Sequence, residues 1–223
     1  LKFYAYYCKR YPIYAIIIVY KHQMFAQLYF KELIMAQQLK KIYIILSQTG
    51  TLLSNILKTA TGATYNHVSI SLDPELRTMY SFGRLNPKNP FIGGFVKESI
   101  VGGTFAHFPK TEALVLEINV TPYQYSKMKY KLETMACRAS LYHYNYIGLF
   151  LAIFKIRYKK RNCFYCSEFV KDMLIKYKVK REKEFDKITH PIYFLNLKNT
   201  RRIYSGKLKS YKYPQLAAAN KQA

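Results

Sequence analysis

Acidic residues are scarce in this sequence. The chain of 223 residues holds 12 Asp and Glu against 36 Lys and Arg, which gives a formal net charge of +24. AT-rich codon usage alone does not account for the charge, because it would enrich Glu as well as Lys. The excess predicts attraction to nucleic acid, anionic lipid or an acidic polymer, without choosing among them. It is densest from Lys155 to Lys212, with eighteen basic residues against five acidic ones.

Cysteines and long apolar runs are scarce as well. Four cysteines are too few for a disulfide scaffold. No run of about 18 apolar residues occurs, which argues against a membrane-spanning helix. In contrast, 50% of the residues are hydrophobic and 17% are aromatic, a composition that excludes global disorder and suits one domain with a sizeable core. The sequence carries no metal, nucleotide or flavin signature, so we expect no cofactor.

Residues 1–34 differ from the rest of the chain. They contain a short apolar stretch but lack the small-residue cleavage site of a signal peptide. Met35 begins a more ordinary amino terminus, and Lys31-Glu32 can be encoded by a ribosome-binding sequence just before it. Our hypothesis is that residues 1–34 are a leader outside the mature protein, with a short amphipathic membrane anchor as the alternative. An intact mass starting at Leu1, in protein from the native host, would contradict it.

We expect one domain over residues 35–213 and a flexible tail over 214–223. No targeting signal follows Met35, which predicts a cytoplasmic protein, with peripheral association with a membrane as the alternative.

Hydrophobic periodicity predicts an α+β fold, in which an antiparallel sheet packs with helices. The predicted strands cover residues 41–46, 68–72, 78–82 and 114–120, and the predicted helices cover 49–61, 122–140, 146–156, 165–177 and 192–197. The almost wholly apolar segment 146–156 is predicted to be a buried helix. Residues 83–104, rich in Gly and Pro, are predicted to form an irregular loop or a broken hairpin. Residues 203–211 are predicted to form a closing hairpin.

The strongest chemical signal is the segment from Asn162 to Val170, NCFYCSEFV. Cys166 falls at the start of a predicted helix, where unpaired N–H groups and the helix dipole favour an anion. A thiolate at that position is stabilised and nucleophilic. Such a nucleophile needs a base, and His67 is the best candidate because it starts a strand and faces away from the aliphatic side chains. The pattern predicts a Cys166–His67 catalytic pair.

Other interpretations of these cysteines stay open. A lone cysteine at a helix start is ordinarily a small buried hydrophobic residue. Cys163 and Cys166 also have the spacing of a redox pair, although the preceding βαβ context is missing. A zinc site would have to recruit Cys137 and His143, because no second Cys-x-x-Cys motif is present.

Five blocks, in order along the chain, resemble a known family. They are NHVSISL, MYSFGR with NPFIGGFVKE, YNYIGLF, YCSEFVKDML and ITHP. Together they resemble the permuted papain-like proteins of the NlpC superfamily, among which the YiiX/YaeF-type amidases are named relatives. The resemblance extends over nearly all of the chain after residue 34. It implies a circularly permuted papain-like fold, in which the histidine precedes the cysteine.

The resemblance also implies roles for individual residues. Cys166 would be the nucleophile and His67 the general base in attack on an amide or ester carbonyl. A third polar residue, often a carboxylate on the next strand, usually orients the histidine. That strand carries Ser81 at the corresponding position, and a hydroxyl stabilises imidazolium less than a carboxylate does. Glu98 or Asp73 could substitute, but the sequence does not place them.

We therefore predict a cysteine hydrolase of the amidase or peptidase type, acting on a peptide, a cell-wall fragment or a lipid-linked substrate. The basic surface suggests an anionic substrate or membrane surface. The absence of an acid at Ser81 favours a second class, a catalytically inactive papain-like binding module for anionic ligands or membranes. A nucleic-acid-binding protein ranks third, because the tyrosines are dispersed along the chain and form no recognisable stacking motif.

Overall fold

The computed structural model describes residues 20–21, 23–25, 27, 38–49, 64–86 and 89–214. The chain divides into two units, Leu1–Leu39 and Lys40–Ala223. In the first unit, residues 20–21, 23–25 and 27 are helical and exposed. Most of the predicted leader lies outside the described residues. So do the predicted helix over 49–61 and the predicted tail over 214–223, except for the first residue of each.

A sheet of eight strands forms the frame of the second unit. The strands are β1 (Lys40–Gln48), β2 (His67–Ser71), β3 (Met79–Asn86), β4 (Asn89–Glu98), β5 (Glu112–Val120), β6 (His143–Tyr144), β7 (Cys163–Phe164) and β8 (Arg201–Lys207). Among the described residues their order is β7-β6-β4-β3-β2-β1-β5-β8. Neighbouring strands are antiparallel, except that β6 and β7 are parallel.

The continuous apolar run of β1 reflects burial on both faces of the sheet. Ile42, Ile44 and Leu46 point into the main core on one face. Tyr43 and Ile45 point into a smaller core on the other face. A strand that alternates its side chains between two buried faces needs apolar residues at consecutive positions, as the run from Ile42 to Leu46 shows.

Helices cover the sheet. Among the described residues of this unit, the α-helices are α1 (Gly103–His107), α2 (Pro122–Cys137), α3 (Tyr146–Ile153) and α4 (Cys166–Lys176), and 3₁₀ helices span Ala139–Leu141, Glu182–Glu184, Pro191–Asn196 and Leu208–Ser210. The sheet and helices confirm the predicted α+β class. Helix α2 begins where Thr121 and Pro122 predict, since Thr121 and Gln124 form a reciprocal capping box.

Helix α4 packs its apolar stripe against strands β2 and β3. The stripe consists of Phe169, Val170, Met173 and Leu174, all buried in the main core. This packing fixes the first turn of α4, where Cys166 lies, relative to the strand that carries His67.

Of two sequence predictions for extended segments, one is confirmed in part and the other is wrong. Residues 83–104 form no irregular loop, but the hairpin alternative is confirmed, because β3 and β4 form a long antiparallel pair whose register shifts between Arg84 and Asn86. The glycines in β4 serve close packing: a Cβ at Gly93 would come within 2.6 Å of the Tyr146 hydroxyl, and one at Gly94 within 2.9 Å of the Tyr142 carbonyl oxygen. Residues 203–211 form no hairpin, because β8 is a single strand that pairs with β5.

The predicted buried helix over 146–156 also differs from the structure. Helix α3 ends at Ile153, and most of its large apolar side chains are exposed. Among the described residues, no helix is both long enough and apolar enough to cross a membrane.

Candidate active site

His67 is the first residue of β2 and pairs in register with Ser47 of β1. In the alternation of the strand it shares a side with Ser69, while Val68 and Ile70 enter the main core. The imidazole is therefore set among polar groups at the end of a strand whose other face is fixed by packing. This is the position that the sequence predicts for a base.

Glu98, the last residue of β4, supplies the carboxylate of the site. The His67 Nε2 atom lies 3.2 Å from Glu98 Oε1 and 3.3 Å from Oε2. The Ser69 hydroxyl donates to Glu98 Oε2 at 2.6 Å and also lies 3.2 Å from His67 Nε2. Since Glu98 is only 9% exposed, its negative charge acts on the imidazole with little screening by water.

The charges of this pair stabilise each other. Burial lowers the pKa of His67, but the charge of Glu98 and a side-chain interaction with Cys166 outweigh it and raise the pKa to about 10. Burial raises the pKa of Glu98, but His67 and the hydroxyls of Ser69 and Ser81 outweigh it and hold this pKa below its ordinary value. The pair is therefore an imidazolium and a carboxylate at neutral pH.

The sequence suggests Ser81 as the residue that orients the histidine. In the structure, Ser81 does not have this role. Its hydroxyl is buried and has no hydrogen-bond partner of good geometry among the described residues. It lies near the Glu98 carboxylate and helps to keep that group charged. The orienting contact to His67 comes from Glu98, because β4 is a regular strand that brings its last residue alongside β3. The sequence left this segment open between a loop and a broken hairpin, so it gave no register that would place this carboxylate.

Cys166 is the first residue of α4 and is 4% exposed. Tyr165 occupies the N-cap position and provides no side-chain cap. Glu168 accepts a hydrogen bond from the Tyr165 backbone N–H. The first N–H groups of a helix have no intrahelical partner, so they point toward the region of the thiol. Cys166 raises the pKa of His67 through hydrogen bonding and through charge, so the two side chains are within interaction range.

Tyr144 is a member of the site that the sequence did not single out. Burial, and then the charge of Cys166, raise its pKa well above the ordinary value. The phenol therefore stays protonated at neutral pH and can donate a hydrogen bond near the thiol. Its only sequence signal is its position in the block YNYIGLF, two residues before helix α3.

Cys166 is buried among the side chains of the main core, which fits its interpretation as a small buried hydrophobic residue. The metal interpretation of the cysteines has little geometric support. Cys137, Cys163 and Cys166 are all free thiols. Cys163 and His143 are register partners on β7 and β6, but Cys137 is exposed at the end of α2. Among the described residues, no group of three or more His, Cys, Asp or Glu side chains is arranged to hold a metal ion.

A cavity of about 220 Å³ lies beside the first turns of α4. Its lining includes Tyr165 and Glu168 but neither Cys166 nor His67. Four cations and three carboxylates line it together: Arg157, Lys159, Lys171 and Lys187 with Glu168, Asp172 and Glu182.

Comparison of the chain with models of protein families, with curated proteins and with solved structures found no significant match. An assignment of activity therefore rests on the chemistry of the site and on the sequence motifs that carry it.

Proposed function

We propose that this protein is a cysteine hydrolase with a circularly permuted papain-like arrangement. It cleaves an amide or ester bond with Cys166 as nucleophile and His67 as base. The observation that carries the proposal is the set of three groups at one place: a thiol at a helix N-terminus, an imidazole that interacts with it, and a buried carboxylate 3.2 Å from that imidazole. The NlpC-like blocks around His67 and Cys166 support the same order of residues.

The reaction follows from these groups. The proton of the Cys166 thiol resides on His67, which is the imidazolium described above, and the thiolate attacks the carbonyl carbon of the substrate. The tetrahedral intermediate collapses to a thioester as the imidazolium gives its proton to the leaving amine or alcohol. Water, deprotonated by His67, then attacks the thioester and releases a carboxylic acid with the free thiol. Glu98 orients the ring and stabilises the imidazolium in both half-reactions.

The developing oxyanion needs hydrogen-bond donors. The backbone N–H of Cys166, at the start of α4, is one donor available without movement of the chain. The protonated hydroxyl of Tyr144, which is close enough to interact with the Cys166 charge, is a second. Neither donor needs a metal ion or a cofactor to act.

The inactive binding module is a weaker candidate than the sequence suggested. Its support was the absence of an acid on the strand that carries Ser81. Because Glu98 from the neighbouring strand occupies the orienting position, the site has the carboxylate that catalysis requires.

The test is the pH dependence of alkylation by iodoacetamide, followed for each cysteine by peptide mass spectrometry. We expect Cys166 to react at pH 6 at least about tenfold faster than in His67→Ala, because the imidazolium stabilises the thiolate. Cys137 is an exposed free thiol in the same molecule and serves as the internal control. Its rate should be the same in both proteins.

Two results would contradict the proposal. One is a Cys166 rate that is unchanged by His67→Ala. The other is a Cys166 that stays unreactive below pH 8 while Cys137 is labelled in the ordinary way. Either result would leave the fold without thiol chemistry at this position.

A further inference from the structure

The burial pattern of helix α3 is the reverse of the one expected for a helix at the surface of a folded domain. Its small residues Gly148 and Ala152, four positions apart, are buried. Its bulky residues face solvent: Ile147 is 60% exposed, Phe150 61% and Phe154, its C-cap, 60%. These three recur at helical spacing along one side. An apolar stripe of this kind normally packs on a core, so its exposure marks a surface that binds something.

The exposed apolar surface continues beyond α3. Ile153 is 40% exposed and Ile156 52%. On the neighbouring β3–β4 hairpin, Leu85, Phe91 and Ile92 are 56%, 83% and 50% exposed. The hairpin and the helix meet at Gly93, where a Cβ would lie 2.6 Å from the Tyr146 hydroxyl. We call the exposed residues Ile147, Phe150, Ile153, Phe154 and Ile156, with Leu85, Phe91 and Ile92, the apolar face.

Positive charge adjoins the apolar face directly. The segment that follows α3 reads KIRYKKR from Lys155 to Arg161, with five cations, and it is exposed throughout. No Asp or Glu occurs between Glu133 and Glu168. Large apolar side chains bordered by cations, with no acid in the same stretch of sequence, match the boundary between the acyl chains and the head groups of an anionic bilayer. Arg157 and Lys159 line the cavity with carboxylates, whereas Lys155, Lys160 and Arg161 lie outside it.

The apolar face is also fixed to the active site. Asn145 caps α3 by accepting a hydrogen bond from the Gly148 N–H at 2.9 Å. The same side chain donates to the Glu168 carboxylate in the first turn of α4, at 3.5 Å. Tyr144, which interacts with Cys166, lies just before that cap. Asn145 therefore links the start of α3 to the first turn of the helix that begins with Cys166.

We propose that the apolar face and the segment 155–161 dock this protein on the surface of an anionic phospholipid bilayer. Charge complementarity selects this occupant. A second copy would bring the same cations against each other, and a nucleic acid would leave the aliphatic and aromatic side chains in water. Docking goes beyond the proposed function and does not require hydrolysis.

The absence of tryptophan from the chain allows a direct test. Phe154→Trp places a single reporter on the apolar face of the full-length protein, and Tyr130→Trp places one at an equally exposed position on α2, 72% exposed in the native residue. With vesicles of phosphatidylcholine and phosphatidylglycerol, we expect the emission of the first to shift to the blue and to be quenched by brominated acyl chains. The second should do neither, and vesicles of phosphatidylcholine alone should bind neither protein.

Vesicle sedimentation separates the apolar and the electrostatic contributions. Phe150→Gln with Phe154→Gln should weaken binding about tenfold or more, because interfacial affinity scales with the apolar area that is buried. Tyr123→Gln with Tyr130→Gln on α2 is the matched control and should bind like the wild type. The triple change of Lys155, Lys160 and Arg161 to Gln should weaken binding more than the same change of Lys183, Lys209 and Lys212. All of these side chains are exposed, so a thermal melt should show each variant folded.

Several outcomes would overturn docking. Equal binding by all variants would show that the net charge of +24 acts without the apolar face. Absence of binding to anionic vesicles would exclude the bilayer. A wild-type dimer in sedimentation velocity that Phe150→Gln with Phe154→Gln converts to a monomer, without vesicle binding, would assign the face to a second copy. Cys166→Ala should bind vesicles normally, so failure of the chemistry and failure of docking are distinguishable.

Discussion

Glu98 shows how much of the site depends on a single side chain. It is almost completely buried, yet both of its oxygens lie within hydrogen-bond distance of His67, and Ser69 donates to one of them. A buried carboxylate with a charged partner and a hydroxyl donor stays ionised, and it holds the imidazolium in place. The basicity of His67 is therefore set mainly by a residue on another strand.

Glu98→Gln tests this dependence. The amide keeps the shape of the side chain but removes its charge, so the pKa of His67 should fall from about 10 toward 6.5. A smaller fraction of His67 is then protonated at pH 7, so less imidazolium is present to stabilise the thiolate. Alkylation of Cys166 at pH 7 should therefore slow by about tenfold or more. An NMR titration of the imidazole and the alkylation rate measure the two effects.

Ser81→Ala is the matched control for Glu98→Gln. Its hydroxyl faces the carboxylate and has no contact of good geometry with His67. Its removal should therefore change the alkylation rate by less than about threefold, within the effect of one weak hydrogen bond. Equal losses in the two variants would show that Glu98 has no special role in tuning the histidine.

At the scale of elements, the feature of interest is the connection that Asn145 makes between α3 and α4. Asn145 is 3% exposed and makes three contacts: with the Gly148 N–H, the Tyr158 carbonyl oxygen and the Glu168 carboxylate. The side-chain amide of Asn145 thus caps α3, binds the segment that follows α3, and contacts the first turn of the helix that carries Cys166. Its donors and acceptor are all used.

We expect Asn145→Ala to lower the free energy of unfolding by about 2–4 kcal/mol, from the lost cap and the buried partners left without hydrogen bonds. Thr121→Ala removes an exposed cap at the start of α2 and should cost only about 0.5–2 kcal/mol. Urea denaturation of both variants measures the difference. If Asn145→Ala lowers the free energy of unfolding no more than Thr121→Ala does, Asn145 acts only as an ordinary helix cap.

Elements whose pattern depends on local periodicity could be predicted from the sequence. Strands β1, β2 and β5, the start of α2 and the stripe of α4 lie where the apolar spacing places them. Burial of α3 was predicted wrongly, because an apolar segment is normally buried and the pattern cannot show which side of it has no partner. The sequence left β4 open between an irregular loop and a broken hairpin, because its glycines suit either. In the fold, they allow Tyr142 and Tyr146 to approach closely.

The same distinction applies to the site. Cys166 and His67 stood out because a helix start and a strand start are visible in the sequence. Glu98 could not be assigned, since its contact with His67 depends on register across β3. Tyr144 could not be assigned either, because one tyrosine among 23 carries no signal of its own.

At the scale of the whole molecule, buried charges link stability to pH. Besides Glu98, Glu117 is buried, and its oxygens meet Lys41 at 3.2 Å, Arg201 at 2.9 Å and the Tyr213 hydroxyl at 3.1 Å. Burial raises the pKa of Glu117, but these partners outweigh it and hold the pKa below its ordinary 4.5. The stabilisation by both carboxylates is thus present above pH 4.5 and is lost as the pH falls through their lowered values.

His67 acts in the opposite direction. Its pKa is raised in the folded state, so its stabilisation is complete below 6.5 and is lost as the pH rises toward 10. We therefore expect the melting temperature to be highest between about pH 5 and 6.5 and to decline on both sides. Scanning calorimetry from pH 4 to 10 measures it.

Two variants separate the causes of this pH profile. His67→Gln should remove most of the decline between pH 6.5 and 10, and Glu117→Gln should leave that decline unchanged while it reduces the loss in acid. A decline above pH 6.5 that persists in His67→Gln would assign it to other groups.

The positions of His67, Glu98 and Cys166 along the chain have a consequence for biosynthesis. The imidazole and its carboxylate are both encoded within β2 to β4, whereas the thiol follows much later, on α4. Since a ribosome releases the amino-terminal part first, the acid–base pair leaves the exit tunnel before its nucleophile has been translated. A nascent chain therefore carries both members of the acid–base pair before Cys166 has been added. The set of three site residues is complete only in the last third of translation.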